Sequence, residues 1–313
     1  MTYHSYSINI EPLEEDVVFT YKNVEIARSK NCKVLHETRL PGTCYVPMDD
    51  VNMDFFERSG FKTFCPFKGN ASYFHYRNGE ERSENMAWVY KNPIDEAYSI
   101  KNHLAFYSDR VRVGCSGLPL NLDQDIDESL HANPFLNHFL QPSFQYGSFL
   151  DVMKEFLWCY SNHLDSQLVR MRVVIRSTTE NYVGYIIQFD GEGNELKETY
   201  TPRDKFDQTQ YKESPLRVVI DGLGGVRRPL IGKRVILDYP VLEDLQKMGA
   251  TDYVAMPLHF SDSSVQVLTL ATKAPTGFSI ETLGYVFEVL PVISRMLEIN
   301  LLRNPKLSKQ AAA

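Results

Sequence analysis

Cysteine is sparse and unpatterned in this chain of 313 residues. Cys32, Cys44, Cys65, Cys115 and Cys159 are an odd number with no Cys-x-x-Cys, so neither a zinc knuckle nor a disulfide framework can be read from them. Reduced thiols in a cytoplasmic protein are the expectation. The eight histidines lack ligand spacing, which leaves no sequence argument for a metal. No apolar run approaches the roughly 18 to 20 residues that cross a bilayer, and the start, MTYHSYSINIEPLEED, has neither the basic nor the apolar region of a signal peptide. Basic residues are not in excess. Lys plus Arg total 33 against 40 Asp plus Glu, a formal charge of -7, so the electrostatic footprint of a nucleic-acid binder is not expected. There is no Gly-x-Ser-x-Gly, and Gly222-Leu223-Gly224-Gly225 runs into Val226-Arg227-Arg228-Pro229 rather than into a phosphate-loop Lys-Ser/Thr. A flexible loop touching an anion through Arg227 and Arg228 is the better reading, and no cofactor can be named.

What is present suits a folded, two-domain protein. Hydrophobic residues make up 43% and charged residues 23%, which supports real cores, and the length suggests two domains. Residues 1–113 are dense in short strand-like runs, such as Asp16 to Tyr21 and Ala71 to Tyr76, with turn signals at Pro41-Gly42 and Asn78-Gly79. Asn-Gly supplies the positive φ angles of a tight hairpin, here read with an extended polar loop before Met86. A polar, acidic stretch over 114–139 reads as a linker. From residue 140 the pattern changes. Phe149, Val152, Phe156, Leu157, Tyr160 and Leu164 recur at helical steps, and strand-like runs follow at Val169 to Arg176 and Tyr182 to Phe189. A short helix over Val241 to Met248 precedes strands at Asp252 to Phe260 and Val265 to Thr272. A last helix is capped by Ser279 and carries Leu283, Val286, Phe287, Leu290, Ile293, Leu297 and Leu301 as one stripe, with Pro291 expected to kink or locally loosen it. The order of elements predicts an α+β fold: a small mostly-β domain, then a domain with an antiparallel sheet and flanking helices at 140–303, then a tail at 304–313.

Tyr45, Pro47, Asp50, Val51, Cys65, Pro66, Lys68, Gly69, Ala71, Tyr73, Trp88, Tyr90, Phe106 and Tyr107 stand in an order that resembles a small bacterial domain of unknown function grouped as a ninth nucleotidyltransferase-like family. The resemblance implies no established reaction. Physically, Asp50, Cys65, Lys68, Tyr73, Trp88 and Tyr90 could line a ligand pocket, with Lys68 pairing an anion and lowering the pKa of the Cys65 thiol. That would make a small, nucleotide-like compound the substrate of a Cys/Lys enzyme. The competing structural role is that a cysteine before proline is a small buried hydrophobe and that Trp88 and Tyr90 fill a core.

Val173 to Thr178, Asn181 to Gly184, Tyr239 to Leu245, Gly249 to Leu258 and Gly277-Phe278-Ser279 together resemble the GAF-like sensory region that precedes the catalytic domain of many proteobacterial class III adenylate cyclases. The resemblance implies a pocket on one side of the sheet, with Arg176, Tyr182, Tyr185, Tyr239, Asp252, Tyr253 and His259 as candidate lining, although each has an ordinary structural role open to it. It also implies a regulatory part in cyclic AMP signalling. The cyclase catalytic set is not found in these residues, so the expectation is a chain without catalytic activity of its own, acting on a catalytic domain in cis or in trans. The stripe at 279–303 suggests a homodimer through the last helix. The ligand is a small molecule of unknown identity, with no nucleic acid and no membrane as partner.

Overall fold

The structure, a computed structural model, describes residues 8–37, 40–115, 118–120, 133, 138–139, 148–164, 167–176, 183–189, 196–202, 213–232 and 235–303. The chain divides into two compact units, Met1–Leu130 and His131–Ala313. The architecture is α+β with antiparallel sheets, as the element order predicts.

The first unit is built from strands β1 (Ile8–Leu13), β2 (Val17–Tyr21), β3 (Val24–Ser29), β4 (Cys32–Glu37), β5 (Leu40–Pro47), β6 (Phe56–Cys65), β7 (Gly69–Asn78), β8 (Glu81–Tyr90), β9 (His103–Phe106), β10 (Arg112–Cys115) and β11 (Leu118–Pro119). Seven of them form one sheet in the order β1-β4-β5-β9-β8-β7-β6, and a four-stranded sheet runs β11-β10-β2-β3. Alternation along the strands splits the apolar residues into two layers. Cys44, Val46, Phe74, Tyr76 and Met86 join the cluster that includes Val17, Phe19 and Ile26 from the smaller sheet, whereas Tyr45, Ala71, Tyr73 and Tyr90 join the other cluster with Leu35 and Ala105. The β2–β3 turn uses Lys22 and Asn23, both at positive φ, the pairing a two-residue hairpin needs.

Two expectations change here. The Asn78-Gly79 hairpin is tight: Asn78 pairs with Glu81 and the polar run Glu81 to Glu84 is strand, not loop. Its alternating exposure on an outward face explains why the polar residues belong to a strand. Nor does the first unit stop at residue 113. Gly114 and Cys115 pair with Val18 and Val17, and Leu118-Pro119 extends the same sheet. At the other end of the expected linker, Asn133 donates to the Tyr285 carbonyl at 3.1 Å and to Glu288 at 2.9 Å, so residue 133 belongs to the second unit. The rest of 114–139 falls mainly outside the described residues, as does the 304–313 tail.

The second unit has helices α1 (Phe149–His163), α2 (Pro215–Ile220), α3 (Pro240–Lys247) and α4 (Ile280–Arg303) and strands β12 (Leu168–Arg176), β13 (Val183–Phe189), β14 (Lys197–Pro202), β15 (Val226–Pro229), β16 (Asp252–His259) and β17 (Val265–Thr272). The six strands form one antiparallel sheet, β14-β13-β12-β17-β16-β15. Helix α1 starts on a capping box in which the Ser148 hydroxyl accepts from the Asp151 N–H while the Asp151 carboxylate accepts from the Ser148 N–H. Ser279 caps α4 by accepting the Thr282 N–H at 3.0 Å. Gly249, at φ +84, ends the turn after α3.

The sheet is covered on both faces. Val174, Tyr253, Ala255, Val267 and Ala271 point toward Leu216 and Val219 of α2 and Leu242 and Leu245 of α3. On β12 the intervening Met171, Val173 and Ile175 are buried on the opposite face. There α4 packs against β16 and against α1. This packing uses up the stripe that the sequence offers to a second copy. Leu283, Val286, Leu290, Ile293 and Leu297 are all 4% exposed or less, Leu301 is half-buried, and Phe287, at 37%, is the exposed member of the stripe. Pro291 lies in the same exposed line as Phe287 and Arg295, and α4 runs through it.

Candidate functional site

In the first unit, a row of paired residues crosses the large sheet: Tyr45 opposes Ala105, Ala105 opposes Trp88, and Trp88 opposes Tyr73. The Trp88 Nε1–H donates to the Tyr45 hydroxyl at 3.4 Å, and Thr63 Oγ1 lies 3.0 Å from the Tyr73 hydroxyl. Tyr107 packs on Trp88 at 4.8 Å between ring centroids and Phe61 packs edge-on to Tyr73 at 4.9 Å. Tyr107 and Phe61 are exposed, so the row ends in an aromatic shelf open to solvent. Beneath it, Lys68 forms a buried ion pair with Glu37, and Cys65 pairs with Gly69 at the end of β6. Cys65, Lys68, Tyr73, Trp88 and Tyr90 therefore share one side of the unit. Asp50 is not with them: it follows β5 and accepts a 2.6 Å hydrogen bond from Ser29 on β3.

The electrostatics of this face do not produce an activated thiol. Burial pushes the Cys65 thiol upward, and the Lys68 charge and the Phe67 and Lys68 N–H groups only partly offset it. Lys68 has a carboxylate partner in Glu37, whose charge opposes the field that would favour a thiolate. Burial likewise raises Tyr45 and Tyr90, and takes Tyr73 up to about 12. This geometry lends no support to the expectation of a lysine-activated cysteine.

In the second unit, Asp252 is a structural lock. Its carboxylate, 3% exposed, accepts from Arg227 Nε at 3.2 Å and Nη2 at 3.0 Å and from the Phe278 N–H at 3.2 Å. Its other oxygen accepts from the Tyr253 N–H at 2.9 Å, and Arg227 Nη2 also donates to the Phe278 carbonyl at 3.1 Å. Burial raises the Asp252 pKa despite Arg227 beside it. Gly277 is part of the lock, at φ +76 with Asp252 Cβ and Oδ2 each 2.9 Å from where a Cβ would stand. The Asp252 and Gly277-Phe278-Ser279 segments are thus tied to each other and to the start of α4. Arg228 is held by Asp238 at 2.7 Å beside the Tyr239 ring. Arg227 and Arg228 thus lie on strand β15 rather than in the expected loop and both have carboxylate partners, and the glycine run follows helix α2 rather than a strand, which removes the phosphate-loop reading on a second ground.

The opposite sheet face gathers groups that the sequence reading does not single out. Arg170 opposes Ala271 and Arg172 opposes Thr269, in register with Val174 opposite Val267. All three positions of β12 therefore point toward α2 and α3. Tyr253, 4% exposed, lies in this layer, and its hydroxyl hydrogen-bonds to Thr269 and feels the charges of Arg172 and Arg170. Burial nevertheless raises its pKa. Tyr239 is half-buried against the same cluster. Of the expected lining, Tyr239 and Tyr253 are together here. Asp252 faces the other way, and His259 is exposed at the end of β16. Arg176 and Tyr185 lie on paired strands, β12 and β13, whose side chains at those positions fall outside the description, and Tyr182 lies outside the described residues. An Arg-x-Arg alternation on a strand that proves central in the sheet is the signal that could have found Arg170 and Arg172.

Among the described residues no cluster of histidine, cysteine or acidic groups could hold a metal ion, and no helix is long and apolar enough to cross a membrane. A family model described as "Domain of unknown function (DUF427)" matches residues 9–117, a span within the first unit. No curated protein matches the chain. Solved structures similar to part of it include GAF domains. One is the GAF domain of a two-component sensor histidine kinase from Bacillus halodurans, at 12% identity and TM-score 0.37, covering 49% of this chain and 95% of that one. A second is the phycocyanobilin-bound GAF domain of a cyanobacterial phytochrome, at 14% identity and TM-score 0.39, covering 56% and 98%. A third is the A. aeolicus nlh2 GAF domain in an inactive state, at 14% identity and TM-score 0.37, covering 54% and 94%.

Proposed function

We propose that this chain is a sensory regulatory region that binds a small molecule on the second unit and passes the bound state to a catalytic partner of the adenylate cyclase type. One observation carries the reading. The central strand β12 turns Arg170 and Arg172 toward helices α2 and α3 while the alternate Met171, Val173 and Ile175 are buried on the face where α4 packs. A ligand held against the first face therefore acts on a strand whose other face belongs to the helix layer. The Asp252–Arg227–Phe278 lock joins β15 and β16 to the residues that start α4, which supports the same route. The cyclase context rests on the segments quoted above and makes cyclic AMP the product of the partner, which acts in cis or in trans. On α4, the line of Phe287, Pro291 and Arg295 is the surface left for that partner or for a second copy of the chain. Catalysis by Cys65 with Lys68 draws no support from a thiol shifted upward beside a paired lysine.

The test is amide hydrogen exchange on the full chain with the anionic dye 1-anilinonaphthalene-8-sulfonate and its uncharged analogue N-phenyl-1-naphthylamine. Slower exchange in β12, α2 and α3 on adding either dye supports the pocket. Protection confined to the first unit contradicts it.

A further inference from the structure

Cys32 and Cys44 stand on neighbouring strands of the large sheet in the first unit, and the function proposed above uses neither. Strands β4 and β5 pair antiparallel with Val34 opposite Cys44, so Cys32, two residues from Val34, lies on the same face and diagonal to Cys44. Both belong to the apolar layer shared with the smaller sheet, at 1% and 5% exposed, and both are free thiols. Diagonal neighbours of such a pair lie roughly 7 to 8 Å apart, their Cβ atoms somewhat less, a gap that two C–S bonds leaning inward close to sulfur contact. The Cys44 thiol accordingly donates to the Cys32 sulfur, and Cys32 Sγ lies 4.0 Å from the Ser29 carbonyl. This contact divides the pair by acidity. The hydrogen bond from Cys44 holds Cys32 below the ordinary thiol range, outweighing burial, and Ser29 adds to it against the charge of Asp50. The same bond and burial push Cys44 up, as burial raises Cys65 and Cys159.

We propose that Cys32 and Cys44 form a modification site at which hydrogen peroxide makes a reversible disulfide between β4 and β5. In the first step the Cys32 sulfur attacks one peroxide oxygen, the O–O bond breaks, and the departing oxygen takes the thiol proton and leaves as water. In the second the Cys44 sulfur attacks the Cys32 sulfenic acid, the S–O bond breaks, and hydroxide leaves with the Cys44 proton as a second water. Two electrons pass from the two sulfurs to the peroxide. A disulfide needs Cβ atoms about 3.5 to 4.5 Å apart, closer than a diagonal pair holds them, so the bond must draw β4 and β5 together. A bond made against the sheet is easily reduced, which makes the modification reversible. Cys32 is the first residue of β4 and directly follows the exposed Lys30 and Asn31, so fraying of this strand end admits a molecule little larger than water. The site belongs to the first unit and stands whether or not the second unit binds a ligand.

The experiment exposes the folded full chain to hydrogen peroxide at concentrations that leave its circular dichroism unchanged. Remaining thiols are then blocked with iodoacetamide in urea, and a non-reducing digest is mapped by mass spectrometry. The expected result is the loss of two of the five thiols, one pair of peptides joined through Cys32 and Cys44, and return of both thiols on adding reduced glutathione. In Cys44→Ala, Cys32 should stop at the sulfenic acid and be trapped by dimedone, whereas in Cys32→Ala dimedone should leave Cys44 unlabelled. If an alanine variant does not fold, the joined peptides of the parent carry the test by themselves. All five thiols intact after peroxide, or oxidation that spares Cys32 and Cys44, overturns the site. Dimedone on Cys44 in Cys32→Ala overturns the order of attack, and a bridge that glutathione leaves closed overturns its reversibility.

Discussion

The Gly277→Ala substitution tests whether the lock around Asp252 is what ties the sheet to α4. Two costs add at this position. A left-handed φ of +76 costs a non-glycine residue roughly 1 to 2 kcal/mol. The new methyl would also stand 2.9 Å from both Cβ and Oδ2 of Asp252, closer than carbon and oxygen tolerate, so the carboxylate has to move away from Arg227 and the Phe278 N–H. Displacing one partner of a buried ion pair costs about 3 to 5 kcal/mol when the separation is complete. Gly222→Ala is the control. Gly222 has a similar φ of +70 in the same unit, with nothing within 4 Å of the place its new methyl would take, so it isolates the backbone cost. The assay is urea unfolding followed by tryptophan fluorescence in a Trp88→Phe background, where Trp158 on α1 is the remaining tryptophan and reports the second unit. Gly277→Ala should lower stability by at least about 2 kcal/mol more than Gly222→Ala, with an unchanged slope. Equal losses in the two variants would refute the reasoning, since they would mean that Asp252 yields at no cost.

Three further outcomes follow from the geometry. Lys68→Met should destabilise the first unit by about 3 to 5 kcal/mol by removing the cation that Glu37 pairs with, whereas Lys68→Met with Glu37→Leu should recover most of that loss in chemical unfolding. Cys65 should label slowly with iodoacetamide at neutral pH, as should Cys159, whose thiol burial pushes up to about 12; fast labelling of Cys65 would restore the reactive-cysteine reading. Glu298 on α4 accepts from the Ser261 hydroxyl and the Ser261 N–H and pairs with Arg295 at 2.9 Å, and these contacts, the Ser261 hydroxyl first, hold its carboxyl below the ordinary 4.5. A lowered folded pKa means a contribution fully present above 4.5 that is lost as pH falls through the lower folded value, so the melting advantage of the parent over Glu298→Gln should shrink in that acid range.

The parts legible in the sequence are those with local causes. Helices α1 and α4 announce themselves through a repeat at three and four residues, α4 also through Ser279 at its start, and strands β16 and β17 through continuous apolar runs between turn signals. What escapes is set by partners distant in the chain. Glu37 and Lys68 are separated by 31 positions and nothing in either neighbourhood announces the other. Arg170 and Arg172 show in sequence only an alternation of charged and apolar residues, and nothing local tells that β13 and β17 lie on either side of β12 with helices on the face they occupy. Asp252 is a pocket candidate only through the GAF-like resemblance, and its direction on β16 turns it to Arg227 instead. The stripe of α4 is apolar as its spacing says, yet amphipathicity cannot say whether a helix face meets its own sheet or another molecule.

If occupancy of the α2 and α3 face is felt across the sheet by α4, hydrogen exchange of residues 280–303 with and without saturating 1-anilinonaphthalene-8-sulfonate is the most direct measurement of it. The expected result is slower exchange in α4 together with β12. Protection of β12 with α4 unchanged would contradict that coupling.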